Sequence, residues 1–167
     1  NEKKCDEISI FDVNASINNL RPNFNLIRDI ANEARMPITY GGGIKNKTDA
    51  IKIFNYGIEK ISVSSLYFEN RSEVGEIIES VGSQSTVMTL DIKLVNLKYC
   101  IYTNRGKQKI NTDLIHVLQD LQKLKVGEIV INNIDKEGTM EGYDHNLIQL
   151  IYDNTKIPIT ILGGVGQ

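Results

Sequence analysis

The sequence predicts an α/β fold in which parallel strands alternate with helices. Short runs rich in Ile and Val recur along the 167 residues, and longer segments with apolar residues three or four positions apart lie between them. The connections are short, and such alternation is typical of a parallel sheet covered by helices. Two pairs of strand ends also return at almost the same spacing. Asp12 and Asp135 lie 123 positions apart (135 − 12), and Pro37 and Pro158 lie 121 apart (158 − 37), which predicts a duplicated unit.

The first half of the chain contains three predicted strand–helix pairs. Each strand is a run of β-branched and aromatic residues, and each helix shows one apolar face behind a residue that can cap its first turn. In order, we predict a strand over 8–12, a helix over 24–33, a strand over 37–40, a helix over 48–56 opened by Asn46 or Lys47, a strand over 59–63, and a helix over 72–81 capped by Asn70 or Ser72.

The second half repeats the pattern with one addition. Alternating residues around the turn Asn104-Arg105-Gly106 predict a hairpin inserted after the fourth strand. In order, we predict a strand over 86–92, hairpin arms over 97–103 and 107–109, a helix over 112–124, a strand over 128–133, a helix over 145–152 and a strand over 158–162.

This order fits either an open doubly wound sheet or a closed (β/α)8 barrel. The repeat favours the barrel, because repeated half-barrels place equivalent strand ends on one rim. A complete barrel takes eight units and about 250 residues, whereas six barrel strands are predicted here. We therefore expect 1–167 to be a single barrel domain truncated at both ends, with the second to seventh strands present.

Composition excludes several classes of function. Hydrophobic residues make up 41% and charged residues 24%, as in an ordinary globular chain, and the formal net charge is −2. A nucleic-acid-binding protein usually carries a strongly basic patch, which this composition does not indicate. No apolar stretch approaches the length of a membrane span. The two cysteines, Cys5 and Cys100, fit no metal or redox motif, so we expect free thiols in a cytoplasmic protein.

Glycines follow two of the predicted strands. Gly41-Gly42-Gly43 comes after the second strand, and Gly163-Gly164 with Gly166 comes after the last. A backbone without Cβ atoms lets a phosphate approach the main-chain N–H groups at the start of the next helix. The alternative is two tight turns with positive φ and no ligand. Because the glycines recur with the repeat, we predict a ligand with a phosphate at each end.

Two carboxylates are predicted at the ends of strands. Asp91 follows the apolar run T-V-M-T-L, which places it on the rim where barrel enzymes carry their catalytic groups. Burial there would raise its pKa and suit it to proton transfer. The alternative is an Asp that caps the next loop or pairs with Lys93. Asp12 is a second rim carboxylate, for which orientation of the substrate and a structural use are equally open. His116 and His145 lie on predicted helices and are assigned no chemistry.

Seven motifs in order resemble the cyclase subunit family of imidazole glycerol phosphate synthase, a HisF-like (β/α)8 barrel of histidine biosynthesis. They cover essentially the whole chain, and together they are specific although each alone is weak. They are D-E-I-S-I-F-D-V-N-A-S, P-I-T-Y-G-G-G-I, E-K-I-S-V-S-S, G-S-Q-S with the strand leading to D-I-K, G-E-I-V-I-N-N-I-D-K-E-G-T, G-Y-D and L-G-G-V-G.

The resemblance implies a reaction, a partner and a substrate. Ammonia would come from a glutaminase subunit in a heterodimer, and the substrate would carry a phosphate at either end. C–N bond cleavage with ring closure would yield imidazole glycerol phosphate and aminoimidazole carboxamide ribotide, with acid–base groups and no metal or other cofactor. Asp91 would be one catalytic carboxylate, and we expect its partner on a strand upstream of Asn1. No nucleic acid or membrane partner is implied.

The resemblance also assigns binding residues to each end of the substrate. The family usually has Asn where Ser64 stands, and a second Asp where Glu137 stands, so both substitutions put the cyclase geometry in question. The implied substrate- and phosphate-binding set is Asp12, Gly42, Gly43, Ser62, Ser64, Asn132, Glu137, Gly138, Gly163 and Gly164.

Three charged residues begin strands and so lie at the opposite, bottom rim of the predicted barrel. They are Glu7, Lys60 and Glu128. In the family, matching charges form a gated ring where ammonia enters. The alternative is a layer of salt bridges that plugs the barrel and has no role in transport.

The motifs leave three functions open. The first is the histidine-pathway cyclase. The second is its glycosyl amidation-associated, WbuZ-like paralogue, which would use ammonia to amidate a sugar derivative for surface polysaccharide. The segments N-L-R-P-N-F-N-L-I and D-K-E-G-T-M-E-G-Y-D look more like this second branch. The third is a noncatalytic conduit that holds a glutaminase and passes ammonia to a separate enzyme.

Overall fold

The computed structural model describes residues 6–166, apart from the side chain of Ile17. The chain divides after Val87 into two compact units. Cys5 lies outside the described residues, and Cys100 is a free, half-buried thiol. Each unit consists of strands followed by helices, which is the repeating element of a (β/α)8 barrel.

The first unit contains three strands that pair in parallel. The backbone register joins Ile8 to Ile38 in the first pair of strands, and Thr39 to Lys60 in the second. Its elements are β1 (Ile8–Phe11), α1 (Val13–Ile17), α2 (Phe24–Glu33), β2 (Ile38–Gly41), α3 (Lys47–Asn55), β3 (Lys60–Val63), α4 (Ser65–Glu69) and α5 (Arg71–Val81).

The second unit contains three further strands of this kind and a hairpin. The last two strands pair in parallel with Ile129 opposite Ile159. The two hairpin arms are antiparallel with Tyr102 opposite Lys109, and the first arm also pairs antiparallel with the strand before it, with Asp91 opposite Tyr102. Its elements are β4 (Thr86–Val95, which begins two residues before the division), β5 (Lys98–Thr103), β6 (Gln108–Lys109), α6 (Leu114–Leu124), β7 (Glu128–Asn133), α7 (His145–Asn154) and β8 (Ile159–Leu162).

Short polar side chains set where the helices begin. In each case an Asn or Asp side-chain oxygen accepts a hydrogen bond from a backbone N–H two or three residues later, which satisfies a donor that the helix leaves unpaired. The capping residues are Asp12 for α1, Asn23 for α2, Asn46 for α3, Asn70 for α5, Asp113 for α6 and Asp144 for α7.

The core of each unit is built from branched aliphatic side chains where strands face helices. Ile53 and Ile61 have no exposed surface in the first unit, and neither do Leu118 and Ile131 in the second. Burying one such side chain contributes about 1.5–3 kcal/mol. These contacts fix the helices against the strands, so the residues after each strand are held by a packed scaffold.

The two units repeat one another with an offset of 121 residues. Ile8 pairs with Ile38 in the first unit, and Ile129 pairs with Ile159 in the second (8 + 121 = 129 and 38 + 121 = 159). The backbone N–H of Ile8 bonds to Pro37 at 3.0 Å, and that of Ile129 bonds to Pro158 at 2.9 Å. Two parallel strand pairs therefore share one register, as a duplication predicts.

The predicted fold class, a fragment of a (β/α)8 barrel with about six barrel strands, is confirmed. Helix 24–33 and strand 128–133 have the predicted bounds. Strand β4 was predicted to end at Ile92 but runs to Val95, because its last residues pair with the hairpin. The helices α1 and α4 were not predicted, because five residues are too few to show a helical period.

The predicted pairing of Asp12 with Asp135 in the repeat is wrong by two positions. With the offset of 121, Asp12 corresponds to Asn133, the last residue of β7. Asp135 lies beyond it in a short 3₁₀ turn. Its Oδ2 accepts a 2.7 Å hydrogen bond from the backbone N–H of Leu94.

Candidate functional site

The first glycine turn lies between β2 and α3 and is packed closely by the main chain. Gly42 has φ +121°, and a Cβ there would lie 2.3 Å from the carbonyl oxygen of Asp12. Gly43 has φ +70°, and a Cβ there would lie 2.7 Å from the carbonyl oxygen of Leu20. Both positions therefore require glycine for backbone reasons, whether or not a ligand binds.

The second glycine turn, after β8, is built in the same way. A Cβ on Gly163 would lie 2.5 Å from the carbonyl oxygen of Asn133, and one on Gly164 would lie 2.2 Å from that of Gly142. The backbone N–H of Gly142 also donates to the carbonyl of Gly164 at 2.8 Å. The turn therefore packs against the end of β7 and against the loop that contains Gly142.

A phosphate site needs backbone N–H groups that are not already hydrogen-bonded, and the two glycine turns meet this requirement in their hydrogen bonds to the rest of residues 6–166. Among the hydrogen bonds of residues 6–166, none is donated by the backbone N–H of Gly42, Gly43, Gly163 or Gly164. Backbone donors that lack partners within a protein are usually satisfied by water or by a ligand. This observation fits anion binding, and the phosphate role of these residues stays a prediction.

The two serines predicted for the first phosphate site lie in different settings. Ser62 is buried in β3 opposite Gly41, and a Cβ on Gly41 would lie 3.1 Å from the Ser62 Cβ. Ser64 is half-buried and precedes α4, where its side chain makes no capping hydrogen bond. Ser62 thus lies within β3 and Ser64 directly after it, next to the strand that leads into the glycine turn.

Asp91 and Asn132 meet in the second unit. The Asn132 amide nitrogen donates a 3.0 Å hydrogen bond to Asp91 Oδ1. Burial raises the pKa of the half-buried Asp91 carboxyl, and the nearby charge of Glu137 raises it further, while the Asn132 bond and Lys93 act in the opposite direction. The prediction of a buried carboxylate with a raised pKa matches this environment, and its catalytic role stays a prediction.

The loop that carries Glu137 and Gly138 is exposed. Gly138 has φ +72° and open space around the position of a Cβ. The Thr139 hydroxyl donates to the carbonyl of Lys136 at 3.0 Å, and Lys136 pairs with Glu141 at 3.1 Å. These bonds hold the loop locally, and Glu137 acts on Asp91 through its charge rather than through a hydrogen bond.

The hairpin is fastened beside Asp91. Lys93 Nζ donates to the carbonyl of Gly106 at 3.1 Å and lies 5.1 Å from the centre of the Tyr102 ring. The Tyr99 hydroxyl lies 2.9 Å and 3.0 Å from the two carboxylate oxygens of Asp144, the residue that caps α7. Lys93 is thus occupied by the hairpin, which argues against a direct ion pair with Asp91.

The charged residues at the start of the strands form polar contacts within each unit. Glu7 accepts a 2.7 Å hydrogen bond from Thr39 and pairs with Lys60 at 3.0 Å. The bond from Thr39 is the main reason that the pKa of Glu7 lies below its ordinary value. Glu128 accepts a 2.7 Å bond from Thr160. These contacts are compatible with a gate and with a static salt-bridge layer alike.

Sequence reasoning missed two features near the first turn. Asp49 is a fully buried carboxylate that is paired with Arg21. The hydroxyl of Tyr40 is buried without a hydrogen-bond partner among the described residues, and burial raises the pKa of Tyr40 to about 12. The sequence does contain a signal for the buried carboxylate. Asp49 falls within a predicted helix, and a charged residue on the apolar face of a helix needs a partner.

Two features are absent from the described part of the chain. No group of three or more His, Cys, Asp or Glu side chains between residues 6 and 166 is placed to hold a metal ion. None of the helices described here combines the length and the apolar character needed to cross a membrane. His116 and His145 are exposed on α6 and α7.

Comparison with known proteins agrees with this geometry. The family model described as histidine biosynthesis protein matches residues 1–167. The chain belongs to the histidine biosynthesis protein family. This confirms the resemblance to HisF-like proteins drawn from the seven motifs.

Relatives within the family cover the whole chain. A Leptospira borgpetersenii protein, provisionally named imidazole glycerol phosphate synthase subunit HisF, is 42% identical over 169 residues, or 100% of this chain and 66% of its own length. A Vibrio vulnificus protein with the provisional name subunit hisF3 is 41% identical over 99% of this chain and 65% of its own length. The imidazole glycerol phosphate synthase subunit HisF of Sulfolobus acidocaldarius is 34% identical over 99% of this chain and 67% of its own length.

The chain thus spans about two thirds of the length of the curated family members that it matches, 66% for the first of them. The names of these relatives describe a subunit of a synthase, and that description is theirs.

Proposed function

We propose that the full-length protein is the cyclase subunit of an imidazole glycerol phosphate synthase and acts in histidine biosynthesis. The observation that supports this most directly is the environment of Asp91. The carboxylate is half-buried, its pKa is raised, and a 3.0 Å bond from Asn132 holds one of its oxygens. Curated relatives that bear this subunit's name cover the same stretch of chain.

The raised pKa suits Asp91 to general acid–base catalysis. An Asp with an ordinary pKa is almost fully ionised near neutral pH, and burial keeps a larger fraction of Asp91 protonated. In the proposed reaction Asp91 exchanges a proton with the nitrogen atoms whose bonds break and form during ring closure. The bond from Asn132 holds Oδ1 of the carboxylate, and in the proposed reaction the other oxygen would exchange the proton.

The glycine turns would bind the two phosphates of the substrate. Each turn offers backbone N–H groups that donate no hydrogen bond among the described residues, as anion binding by main-chain amides requires. Binding at both ends would fix the reacting centre, which is the usual way for remote binding energy to assist catalysis. Ammonia would reach that centre from a glutaminase subunit bound as a heterodimer.

Turnover of the full-length protein tests this proposal. The protein is supplied with the bisphosphorylated ribotide precursor of imidazole glycerol phosphate and with free ammonium, without a glutaminase. We expect both products, imidazole glycerol phosphate and aminoimidazole carboxamide ribotide, in equal amounts. Absence of both products from a folded protein would overturn the cyclase assignment.

Two substitutions favour a second candidate, a barrel that uses or conducts ammonia for amidation of a sugar. Glu137 adds one methylene to a rim carboxylate, and Ser64 is shorter than the usual Asn. The relatives of this chain also include proteins with the numbered names hisF3 and hisF2, which distinguish them from a plain HisF. A conduit would form no product from ammonium alone and would raise the activity of a glutaminase when mixed with it.

A further inference from the structure

A buried ion pair holds the end of the first glycine turn. The side chain of Asp49 has no exposed surface. Its Oδ2 accepts a 3.1 Å hydrogen bond from the backbone N–H of Lys45, and its Oδ1 accepts one from Arg21 Nε, also at 3.1 Å. A second guanidinium nitrogen of Arg21 bonds to the same oxygen. Lys45 lies two residues beyond Gly43, so Asp49 joins Arg21 to the turn itself.

The segment that carries Arg21 lies directly against the turn. A Cβ on Gly43 would be 2.7 Å from the carbonyl oxygen of Leu20 and 3.1 Å from the carbonyl carbon of Arg21. Lys45 Nζ bonds to the side-chain oxygen of Asn19. Residues 19–21 therefore contact the turn and the residues after it at two points.

Burial makes the ion pair costly to break. A carboxylate removed from water is stable only when charge and hydrogen bonds compensate it, and loss of its cation leaves a charge that must be neutralised or move toward solvent. Such movement would change the bond from Asp49 to Lys45. Arg21 itself is 60% exposed on its side chain, so its removal alters this network without opening a cavity.

An aromatic ring supports the guanidinium from α2. The ring centre of Phe24 lies 5.8 Å from the guanidinium carbon of Arg21 and 4.0 Å from Lys52 Nζ. Lys52 contacts the same ring without being bonded to Asp49. Both cations contact the Phe24 ring, but only Arg21 is bonded to Asp49, so Lys52 is a matched control.

We propose that Arg21 is a positioning residue for the first glycine turn, and that through Asp49 it holds the turn in the form that binds one phosphate of the substrate. This inference rests on the proposed function, because it takes the turn to be a phosphate site. The second turn packs against Gly142 as the first packs against Leu20, so the residue in the place of Arg21 is Tyr143. The second turn therefore has no arginine in the matching place and serves as an internal reference.

Site-resolved binding of inorganic phosphate tests the proposal. The full-length protein is labelled with ¹⁵N-glycine, and phosphate is titrated while the amide signals of Gly42, Gly43, Gly163 and Gly164 are followed. In the unchanged protein we expect phosphate to shift signals at both turns. In Arg21→Gln we expect affinity at the first turn to fall about tenfold, as for loss of one hydrogen bond between charged groups, and affinity at the second turn to stay the same.

Two further variants separate positioning from a general effect. Arg21→Lys keeps the charge but loses the two-point contact, so it should recover part of the lost affinity. Lys52→Gln removes a cation of equal charge from the same ring and should change neither turn. Should Arg21→Gln fold poorly, Arg21→Gln with Asp49→Asn removes the buried charge together with its partner, and the first turn should again bind phosphate more weakly than the second.

Each outcome decides one of the two claims. Unchanged phosphate affinity at the first turn of Arg21→Gln overturns the positioning role alone, as does an equal loss at both turns or in Lys52→Gln. If phosphate shifts neither turn of the unchanged protein, the phosphate sites of the proposed function are themselves wrong, and the role of Arg21 is rejected with them.

Discussion

The Thr160 hydroxyl donates a 2.7 Å hydrogen bond to Glu128. The same bond, of the same length, joins Thr39 to Glu7 earlier in the chain, and the offset between the two pairs is 121 residues. The strand registers share this offset, and so do the close contacts of Gly42 with Asp12 and of Gly163 with Asn133. A duplicated unit has therefore kept its side-chain contacts as well as its backbone, and a measurement in one unit has a direct counterpart in the other.

The glycine turns should be the positions at which an added methyl group costs most. Gly42→Ala and Gly163→Ala would each place a Cβ within 2.5 Å of a carbonyl oxygen at a positive φ. We expect each to lower the free energy of unfolding by at least about 3 kcal/mol. Urea denaturation of the full-length protein measures this.

Gly57→Ala is the matched control for those two variants. Gly57 has φ +95° with nothing within 4 Å of a Cβ, so only backbone strain remains, about 1–2 kcal/mol. Equal losses at Gly57 and Gly42 would mean that the close carbonyl contacts do not matter.

Removal of the Asp91 carboxylate should abolish most of the proposed activity. Asp91→Asn keeps the shape but cannot exchange a proton, so we expect kcat with free ammonium to fall about 10²–10⁴-fold. Asp153→Asn, which changes an exposed carboxylate of α7, should leave kcat unchanged. A kcat of Asp91→Asn within a few-fold of the unchanged protein would contradict the acid–base role.

The same variant should be more stable than the parent at neutral pH. Burial raises the pKa of Asp91 above its unfolded value, so the folded state binds this proton more tightly. The penalty for ionisation is therefore absent below the unfolded pKa and appears as pH rises through the folded pKa. Thermal unfolding at pH 7 should show Asp91→Asn melting about 2–4 °C higher. The difference should vanish near pH 3, and a difference that persists there would point to packing instead.

Asn132 should tune the proton affinity of Asp91. Its amide donates to the ionised carboxylate and holds the pKa of Asp91 down against burial. Asn132→Ala should therefore raise that pKa further, and the acidic limb of the pH–rate profile should move to higher pH. ¹³C NMR titration of the Asp91 carboxyl measures the same shift without turnover. No shift in either measurement would show that the hydrogen bond does not act on the ionised form.

Glu7 should stabilise the protein in the opposite pH range. The hydrogen bond from Thr39 and the contact with Lys60 lower the pKa of Glu7 from 4.5. Its contribution is complete above the unfolded pKa and is lost as pH falls through the folded pKa. Glu7→Gln should therefore be less stable than the parent at pH 6 and equally stable near pH 2. Urea titrations at both pH values test this, and equal destabilisation at both would indicate loss of packing.

Sequence patterns predicted the elements whose signal is local. Helix 24–33 has a capping Asn23 and a clear apolar face, and strand 128–133 is a continuous apolar run. Asp91 was predicted near the end of its strand because apolar residues precede it, whereas it is the sixth of the ten residues of β4. Patterns could not show that β4 continues past Asp91, since pairing of Asp91 with Tyr102 depends on a hairpin arm eleven residues away.

Contacts between distant segments could not be predicted in this way. The bond from Arg21 to Asp49 spans 28 residues and that from Asn132 to Asp91 spans 41. Neither has a periodic signal, because each depends on which loops the fold brings together. The repeat was visible in the sequence, but its offset was misjudged at Asp12 because Asp135, rather than Asn133, looked like its counterpart.

The continuation of β4 through Asp91 restricts how this residue can move. Asp91 and the four residues after it are paired with β5, from Asp91 opposite Tyr102 to Val95 opposite Lys98. Its amide hydrogen should exchange with solvent only when the hairpin opens, and its carboxylate can reorient only about its own side-chain bonds. Asp91 therefore lies on a paired strand, whereas Glu137, whose charge acts on it, lies on the exposed segment 137–141.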